Sequence, residues 1–387
     1  MAERRPWLSQ VRPPVSGTGG NQLDALVVGA GPAGLAASRA LQRRGISHRV
    51  MEKGDQPAAI WANLYDSLTL HTGRHMSHLG ERPFAKGTPL FVPRKDFVRY
   101  LQDYAAAFAL PVDCSVEVRS LHLNGSGWMA ETSRGILSAR TLVLATGIVS
   151  NPRWPKLDGM ADFGGRLMHS VDYKRPHGFA GQRVLVVGVG NSGGEIGSEL
   201  ARAGAAVTMA VRSGANVVPL EIGGIPIQYL SYWLRKLPRP AQEWVSERVR
   251  AMSERKHGPP VLPRPAHNAL DAIPLIGFNL VNAIRDGSVA VRPGVERLTP
   301  AGARFVDGRE EPFDTILLAT GFTAAVQPLG DLVRLDERGF ARRRDRVVSE
   351  DQRGLFLIGH NYDSGGGIAN IRWDAPRLAA RVAEALR

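Results

Sequence analysis

The chain has 387 residues, of which 43% are hydrophobic and 22% charged, and its formal net charge is +13. These values indicate a globular protein long enough for two hydrophobic cores, and no apolar run is long enough to span a bilayer. The basic residues are scattered without a dense block, which argues against a nucleic-acid partner. Cys114 is the only cysteine, which excludes internal disulfides and a paired-cysteine redox site, so we expect a cytoplasmic protein.

The first predicted elements form a βαβ unit. Residues 1–22 lack an apolar segment, so we expect a flexible leader that is not a secretory signal. An apolar strand over 25–28 then leads into a glycine fingerprint, a helix over 32–44 and a strand over 48–51. The fingerprint permits a tight turn on which a pyrophosphate packs, and Glu52 is placed to bind a ribose hydroxyl. The unit predicts a site for a non-phosphorylated dinucleotide, formed by Gly29, Gly31, Pro32, Ala33, Gly34 and Glu52.

An irregular stretch over residues 61–93 follows this unit. Pro93 then marks the first turn of an amphipathic helix with apolar positions at Phe97 and Tyr100. We expect a strand over 112–118 and an antiparallel meander that turns at 124–127 and ends at 141–144. That last strand delivers a small turn which recurs after a second apolar strand over 314–318. Because a coincidence is a poor explanation for two copies, we expect both turns to lie between domains; they are Ala145-Thr146-Gly147 and Ala319-Thr320-Gly321.

A second fingerprint, Gly188-Val189-Gly190-Asn191-Ser192-Gly193, follows the apolar run 184–187. A helix over 192–203 and a strand over 206–211 are expected after it. The position that corresponds to Glu52 carries Arg212, and a guanidinium group suits the 2′-phosphate of a nucleotide like NADPH. A lone fingerprint is weak evidence for a nucleotide site. Two fingerprints followed by residues of opposite charge predict sites for two different dinucleotides.

The pattern predicts an α/β protein with two Rossmann-like dinucleotide-binding domains, the second inserted into the first. We expect the first domain over 23–150 and 315–387 and the second over 151–314, with a boundary in the proline-rich run 151–155. An insertion over 217–265 carries many apolar and aromatic positions. We expect it to be buried against the protein body, with a substrate lid or a membrane-surface helix as alternatives. After an apolar strand over 354–359, glycines 365–367 precede a final helix whose N-terminus suits a flavin ring or phosphate.

Between the fingerprints, residues 163–173 fit the pattern FxGxxxHxxx(F/Y). This pattern resembles the identifying sequence of class B flavoprotein monooxygenases, in the flavin-containing branch, and with the fingerprints the resemblance spans residues 24–386. The stretch 65–71 and Pro-Val-Leu at 260–262 are similar to the short YUCCA-type enzymes and their bacterial relatives. The resemblance implies FAD in the first site, NADPH in the second, a flavin C4a-(hydro)peroxide formed from dioxygen, and transfer of one oxygen atom to a small organic substrate.

The resemblance also implies roles for single residues. Lys53 would lie over the adenine and Trp61 in the flavin-proximal loop, while His71 and Thr72 would stand where the family carries an asparagine near the flavin. His71 is our first catalytic candidate, because histidine changes charge near neutral pH; a hydrogen-bonded loop histidine is the alternative. Asn191 is the second, expected to reach toward the flavin. The remaining predicted cofactor-binding residues are Val116, Ala145, Thr146, Gly147, Gly188, Gly190, Asn191, Ser192, Gly193, Arg212, Ala319, Thr320, Gly321 and Gly359. No motif indicates a metal site.

The substrate chemistry stays open at this stage. N- or S-oxygenation and oxidative decarboxylation of a 2-oxo acid are close competitors. Baeyer–Villiger oxygenation of a carbonyl compound is an alternative, less favoured because Tyr173 replaces a tryptophan of those enzymes. An alternative of another class is a reductase that passes electrons from NADPH through FAD to a protein partner such as an acidic ferredoxin. A homodimer is left open. The candidates for the wall of the substrate pocket are the 217–265 insertion and, near the C-terminus, Tyr362, Asn370 and Trp373.

Overall fold

The computed structural model describes residues 22–125, 127–267, 271–361 and 366–387. Outside the described residues lie most of the expected leader and the tip of the 124–127 turn, which is Ser126. Tyr362, a pocket candidate, and Gly365 of the expected glycine turn also lie outside them. The helices are α1 (Pro32–Gln42), α2 (Ala59–Ala62), α3 (Arg94–Ala107), α4 (Asn191–Arg202), α5 (Ile227–Leu234), α6 (Arg239–His257), α7 (Asn279–Arg285) and α8 (Gly367–Ala385), with a 3-10 helix at Gln327–Leu332.

The described strands are mostly short. In chain order they are β1 (Leu23–Val28), β2 (His48–Met51), β3 (Thr69–Gly73), β4 (Phe91–Pro93), β5 (Val112–Asp113), β6 (Val118–Asn124), β7 (Gly127–Thr132), β8 (Gly135–Leu144), β9 (Arg166–His169), β10 (Arg183–Val187), β11 (Ala206–Ala210), β12 (Val217–Val218), β13 (Glu221–Ile222), β14 (Ile225–Pro226), β15 (Leu275–Ile276), β16 (Val289–Arg292), β17 (Val295–Thr299), β18 (Gly302–Phe305), β19 (Glu310–Pro312), β20 (Thr315–Leu318), β21 (Arg343–Arg344), β22 (Val348–Ser349) and β23 (Leu355–Leu357).

The first sheet carries the first fingerprint. Its strands follow the order β21-β22-β23-β8-β1-β2-β5, and the β6–β7 hairpin joins it at β8. Strand β1 pairs in parallel with β2 and β8, and β8 pairs in parallel with β23. Helices α1 and α8 pack together against this sheet, where Leu35, Leu41 and Leu378 are fully buried. The carboxyl ends of β1, β2, β8 and β23 therefore share the edge of the sheet at which α1 begins, the usual place for a ligand in an open α/β sheet.

The second sheet carries the second fingerprint and is parallel throughout, in the order β16-β11-β10-β20-β9. Strand β20 lies between β10 and the edge strand β9. The boundary that we expected after residue 314 is therefore wrong by one strand, because residues 315–318 belong to the second sheet and not to the first. The chain returns to the first sheet only after this strand.

One predicted strand is also wrong. The alternating residues 112–118 do not form one strand: β5 pairs with β2 over only two residues, and β6 begins at Val118. Between them the chain turns, with Ser115 at φ +55°. The N–H of Val116 donates to the carbonyl of Glu52 at 2.9 Å instead of joining a neighbouring strand. The meander from β6 to β8 is confirmed as antiparallel.

The insertion over 217–265 is only partly buried. Helix α5 buries Ile227, Gln228 and Leu234, whereas α6 buries none of its 19 residues. Trp244 and Met252, both on α6, are 62% and 61% exposed. Burial against the protein body is thus confirmed for α5 and wrong for α6. Among the described residues, no helix is long and apolar enough to cross a membrane.

Candidate active site

A cavity of about 1650 Å³ extends from the first fingerprint to the second. Its wall includes Gly29 and Gly31 on one side and Gly190 and Ser192 on the other. Helices α5 and α6 and residues 260–267 line a further part of it. Because the same cavity reaches both fingerprints, groups bound at the two sites can meet inside it.

The glycines of the first fingerprint serve two different purposes. Gly29 has φ +101°, and a Cβ atom there would lie 2.7 Å from the carbonyl oxygen of Ala145. A Cβ atom on Gly34 would lie 1.7 Å from the carbonyl oxygen of Gly29. These two glycines let the chain pack closely on itself. A Cβ atom on Gly31 would meet nothing within 4 Å, so the missing side chain at this position leaves space in the cavity.

The second fingerprint repeats this arrangement. A Cβ atom on Gly188, whose φ is +106°, would lie 2.6 Å from the carbonyl oxygen of Ala319, and one on Gly193 would lie 2.2 Å from that of Gly188. Gly190 again faces open space. Helices α1 and α4 both start without a side-chain cap. Their first N–H groups therefore remain available to an anion in the cavity.

The two Ala-Thr-Gly turns are hydrogen-bonded crosswise. The N–H of Ala325, which follows the second turn, donates to the carbonyl of Gly147 at 3.0 Å. The N–H of Arg153, which follows the first turn, donates to the carbonyl of Gly321 at 2.9 Å. The threonine hydroxyls of the two turns donate to the same two residues, Thr146 to the Ala325 carbonyl and Thr320 to the Arg153 carbonyl. These bonds fix the position of one fingerprint relative to the other.

Glu52 is held at the first fingerprint by backbone donors. Its carboxylate accepts the N–H of Ala30 and the N–H of Gly54, both at 2.8 Å, and the residue is buried. Lys53 is exposed on the cavity wall next to it. Trp61 also lines the cavity and packs edge-on against Phe97 of α3, with ring centroids 4.8 Å apart. It thus contributes both to the core and to the wall.

Most of the predicted cofactor-binding residues line the cavity. The exceptions are Gly34, Gly188, Gly193, Arg212 and Thr320. The three glycines pack against backbone carbonyl groups of the turns, on the side away from the cavity. Arg212 is exposed just beyond β11, with its stem against Gly294, and it makes no hydrogen bond or ion pair within the part of the chain that the structure describes. Its guanidinium group is therefore available to a ligand at the rim of the second site.

His71 lines the cavity and is bound to a residue that the sequence did not reveal. The Nε2–H of His71 and the hydroxyl of Tyr65 both donate to the carboxylate of Glu195 on α4. Burial raises the pKa of the Tyr65 hydroxyl well above its usual value, and the nearby Glu195 carboxylate raises it further. His71 lies on β3 and lines the cavity, so it is not the loop histidine of our alternative. Its role at the flavin stays a prediction.

The last residue of the 163–173 motif binds the same helix. Tyr173 is 1% exposed, and its hydroxyl donates to Glu199 Oε2 at 2.8 Å. Burial raises the pKa of Tyr173, with Glu199 as a second cause. Glu195 and Glu199 are four residues apart and so lie on one face of α4. That spacing is the sequence signal from which this contact surface was predictable.

Three predicted residues have other contacts than expected. The amide of Asn191 donates to the carbonyl of Pro274 at 3.1 Å and accepts the N–H of Ile276 at 2.8 Å. It therefore binds the β15 segment and lines the cavity, and its reach toward the flavin stays a prediction. Asn370 is buried and donates to the carbonyl of Asn361. Trp373 is 44% exposed, and neither Asn370 nor Trp373 lines the cavity. Within the described ranges no group of three His, Cys, Asp or Glu side chains is arranged to hold a metal ion.

The chain is similar to known proteins over most of its length. A family profile described as pyridine nucleotide-disulphide oxidoreductase matches residues 26–219. The chain is 35% identical over 356 residues to the indole-3-pyruvate monooxygenase YUCCA1 of Oryza sativa subsp. japonica, covering 87% of this chain and 86% of that protein. Its fold is similar to that of a flavin-containing monooxygenase from Stenotrophomonas maltophilia, with a TM-score of 0.76, 22% identity, and coverage of 94% and 99% of the two chains. It is also similar to cyclohexanone monooxygenase bound to epsilon-caprolactone, with a TM-score of 0.73, 18% identity, and coverage of 94% and 88%.

Proposed function

We propose, for a chain that belongs to the class B flavin monooxygenase family, that its reaction is the oxidative decarboxylation of a 2-oxo acid. The protein is an oxidoreductase whose cofactors are FAD and NADPH. The observation that carries the proposal is the cavity that joins the two fingerprints. The choice of a 2-oxo acid rests on the 35% identical relative, which is named for its action on indole-3-pyruvate.

The residues present fit the two cofactors. Open space at Gly31 and at Gly190 and the uncapped starts of α1 and α4 suit two pyrophosphates. Glu52 would hold the ribose of FAD, and Arg212 the 2′-phosphate of NADPH. Ser170 also lines the cavity, and its buried hydroxyl oxygen has no hydrogen-bond partner in the described part of the chain. Such a group is usually satisfied by a ligand or by water.

The bound flavin supplies the redox and oxygen chemistry, and the chain supplies position, a dry environment and proton handling. In the balanced reaction, a 2-oxo acid, dioxygen, NADPH and a proton give the acid shorter by one carbon, carbon dioxide, water and NADP⁺. Apolar residues such as Leu64, Leu68 and Ile371 line the cavity and limit its water. Because His71 Nε2–H is donated to Glu195, Nδ1 is the ring atom at which we place proton exchange with a bound group.

Isotope incorporation tests this proposal directly. The holoenzyme is supplied with NADPH, ¹⁸O-labelled dioxygen and indole-3-pyruvate or phenylpyruvate. We expect the corresponding arylacetate with one labelled oxygen atom, together with carbon dioxide and one NADP⁺ for each product molecule. An arylacetate without label would overturn the proposal. Free hydrogen peroxide formed from the labelled dioxygen would also decarboxylate a 2-oxo acid and leave label in the product, so catalase is included in every reaction, and loss of the labelled arylacetate when catalase is present would likewise overturn the proposal.

The alternatives give different products under the same conditions. Labelled sulfoxide from thioanisole without decarboxylation of either 2-oxo acid would replace the proposal by heteroatom oxygenation, and labelled lactone from cyclohexanone would replace it by Baeyer–Villiger oxygenation. Transfer of electrons to a ferredoxin without any labelled product would indicate a reductase. Reduction of disulfides is disfavoured by the chain itself, because burial raises the pKa of the Cys114 thiol to about 12 and no second cysteine exists.

A further inference from the structure

One buried amide oxygen on the cavity wall has no hydrogen-bond partner among the described residues. Gln228, the second residue of α5, is 4% exposed and lines the cavity. Its side-chain oxygen, Oε1, makes no hydrogen bond within the described part of the chain. Burying an amide oxygen without a partner is unfavourable, so such an atom in a folded protein calls for a specific explanation.

The neighbours of Gln228 hold it in place. The N–H of Ile227 donates to the carbonyl of Leu220 at 3.1 Å, and the side chain of Ile227 is buried. On the other side, the hydroxyl of Tyr229 is hydrogen-bonded to Nδ1 of His75 at 2.9 Å. The same hydroxyl would lie 2.3 Å from a Cβ atom on Gly73, the last residue of β3. The start of α5 is therefore anchored on the strand that also carries His71 to the cavity.

The wall around Gln228 is largely apolar. Ile227, Leu230 and Leu234 of α5 line the same cavity, as do Leu64 and Leu68 before β3. Apolar walls do not fix the orientation of an apolar ligand. A buried hydrogen-bond acceptor in such a wall favours ligands that place a hydrogen-bond donor against it. A site built around a buried polar atom discriminates strongly against analogues that leave this atom unpaired.

We propose that Gln228 is a specificity-determining residue, whose Oε1 accepts a hydrogen bond from an N–H group on the aromatic ring of the substrate. The inference rests on the proposed function, and it takes the 2-oxo acid to be aromatic, like the indole-3-pyruvate for which the 35% identical relative is named. It adds the requirement that the ring itself carries a donor. An indole ring meets this requirement and a benzene ring does not.

Equilibrium binding to the holoenzyme tests the inference without turnover. The probes are indole-3-acetate and benzofuran-3-acetate, which have the same shape and charge and differ by the ring N–H. Both are titrated by calorimetry into enzyme that contains FAD and saturating NADP⁺. We expect the wild-type enzyme to bind the indole compound roughly tenfold more tightly, as befits one neutral hydrogen bond. Equal dissociation constants for the two probes would overturn the inference without any variant.

Gln228→Met assigns the preference to this side chain, because methionine has a similar length and no hydrogen-bonding amide. We expect Gln228→Met to weaken binding of indole-3-acetate to the level of benzofuran-3-acetate and to leave the latter almost unchanged. Gln242→Met, the same change on α6 outside the cavity wall, is expected to keep the wild-type ratio. A Gln228→Met enzyme that keeps this ratio, or that weakens both probes equally, would refute the role of Oε1.

The two proposals fail separately. If the indole preference depends on Gln228 but labelled dioxygen yields no labelled arylacetate, the specificity role of Gln228 is supported and oxidative decarboxylation is refuted. If labelled arylacetate forms but the two probes bind equally, oxidative decarboxylation is supported and the specificity role of Gln228 is refuted.

Discussion

At the scale of single residues, the two fingerprints show that glycines in one motif are required for different physical reasons. Gly34 and Gly193 have no side chain because a carbonyl oxygen occupies the place of the Cβ atom. Gly31 and Gly190 have none because the cavity needs the space. The first reason concerns folding and the second concerns the ligand, so substitutions at the two kinds of position have separable consequences.

Valine substitutions separate these two reasons. We expect Gly31→Val to fold with a melting temperature close to that of the wild-type apoprotein but to lose bound flavin, because the side chain projects into open space. Gly34→Val is expected to fold poorly, because its Cβ atom would lie 1.7 Å from the Gly29 carbonyl oxygen. Circular dichroism melting and the flavin content of purified protein provide the two measurements. Full flavin content in Gly31→Val would show that no pyrophosphate lies against this residue.

Arg212 is the residue that we expect to distinguish NADPH from NADH. Replacing it with alanine removes a charged hydrogen bond, which is worth about 1.5–3 kcal/mol, so KM for NADPH is expected to rise about 10- to 150-fold while KM for NADH changes little. Steady-state kinetics of flavin reduction with each nucleotide provide the measurement. Arg202→Ala, which changes an exposed arginine at the end of α4, serves as the control. A similar loss with both nucleotides would contradict a phosphate-binding role.

At the scale of elements, α4 connects the two halves of the site. Its N-terminus belongs to the second fingerprint, while Glu195 and Glu199 on one face bind Tyr65 and His71 before and on β3 and Tyr173 of the 163–173 motif. The helix therefore fixes His71 and Tyr173 relative to the second fingerprint. This arrangement gives the final aromatic residue of the motif a physical purpose, because its hydroxyl anchors the segment after β9 to α4.

Tyr173→Phe tests this anchor. The substitution keeps the buried ring and removes only the hydrogen bond to Glu199, whose carboxylate is partly accessible to water. We therefore expect a loss of about 1 kcal/mol in the free energy of unfolding, measured by urea denaturation. Tyr232→Phe is a matched control, since the Tyr232 hydroxyl makes no hydrogen bond within the described residues. Equal stability of the Tyr173→Phe and wild-type proteins would show that the anchor contributes nothing.

At the scale of the whole molecule, one buried histidine links global stability to pH. His360 is 2% exposed, both of its ring nitrogens lack partners in the described part of the chain, and burial lowers its pKa to about 3. The unfolded chain binds a proton at this histidine below about pH 6.5, but the folded chain does not until about pH 3. The unfolded state therefore binds more protons in this window, and stability falls as the pH falls.

The effect of His360 is measurable by unfolding at several pH values. Between pH 7 and pH 5 this group is expected to lower the free energy of unfolding by about 2 kcal/mol. Between pH 7 and pH 5 the free energy of unfolding of His360→Leu is expected to fall by about 2 kcal/mol less than that of the wild-type protein. This difference between the two curves does not depend on the stability of the variant at pH 7. His177→Leu, a change at an exposed histidine, is expected to follow the wild-type curve. Parallel curves for His360→Leu and the wild-type protein would contradict this assignment.

Local patterns predicted much of this fold and less of its site. Strand, turn and helix around each fingerprint follow from apolar runs and glycine spacing, and the two Ala-Thr-Gly turns lie at the strand ends where we expected them. The short apolar strand β20 looks the same whichever sheet it joins, so its place in the second sheet was not readable. Likewise, an apolar content that favoured burial of the insertion did not reveal that α6 leaves its tryptophan and methionine in solvent.

The sequence by itself identified the family and predicted the two nucleotide sites, because glycine spacing and the charge of Glu52 and Arg212 are local features, each read within one strand–turn–helix unit. Only the tertiary structure decided which distant residues meet. It bonded Asn191 to β15, joined His71 to Glu195, and left Oε1 of Gln228 on the cavity wall without a hydrogen-bond partner among the described residues. These contacts join residues far apart in the chain or depend on a cavity built from many segments, so no local pattern specifies them.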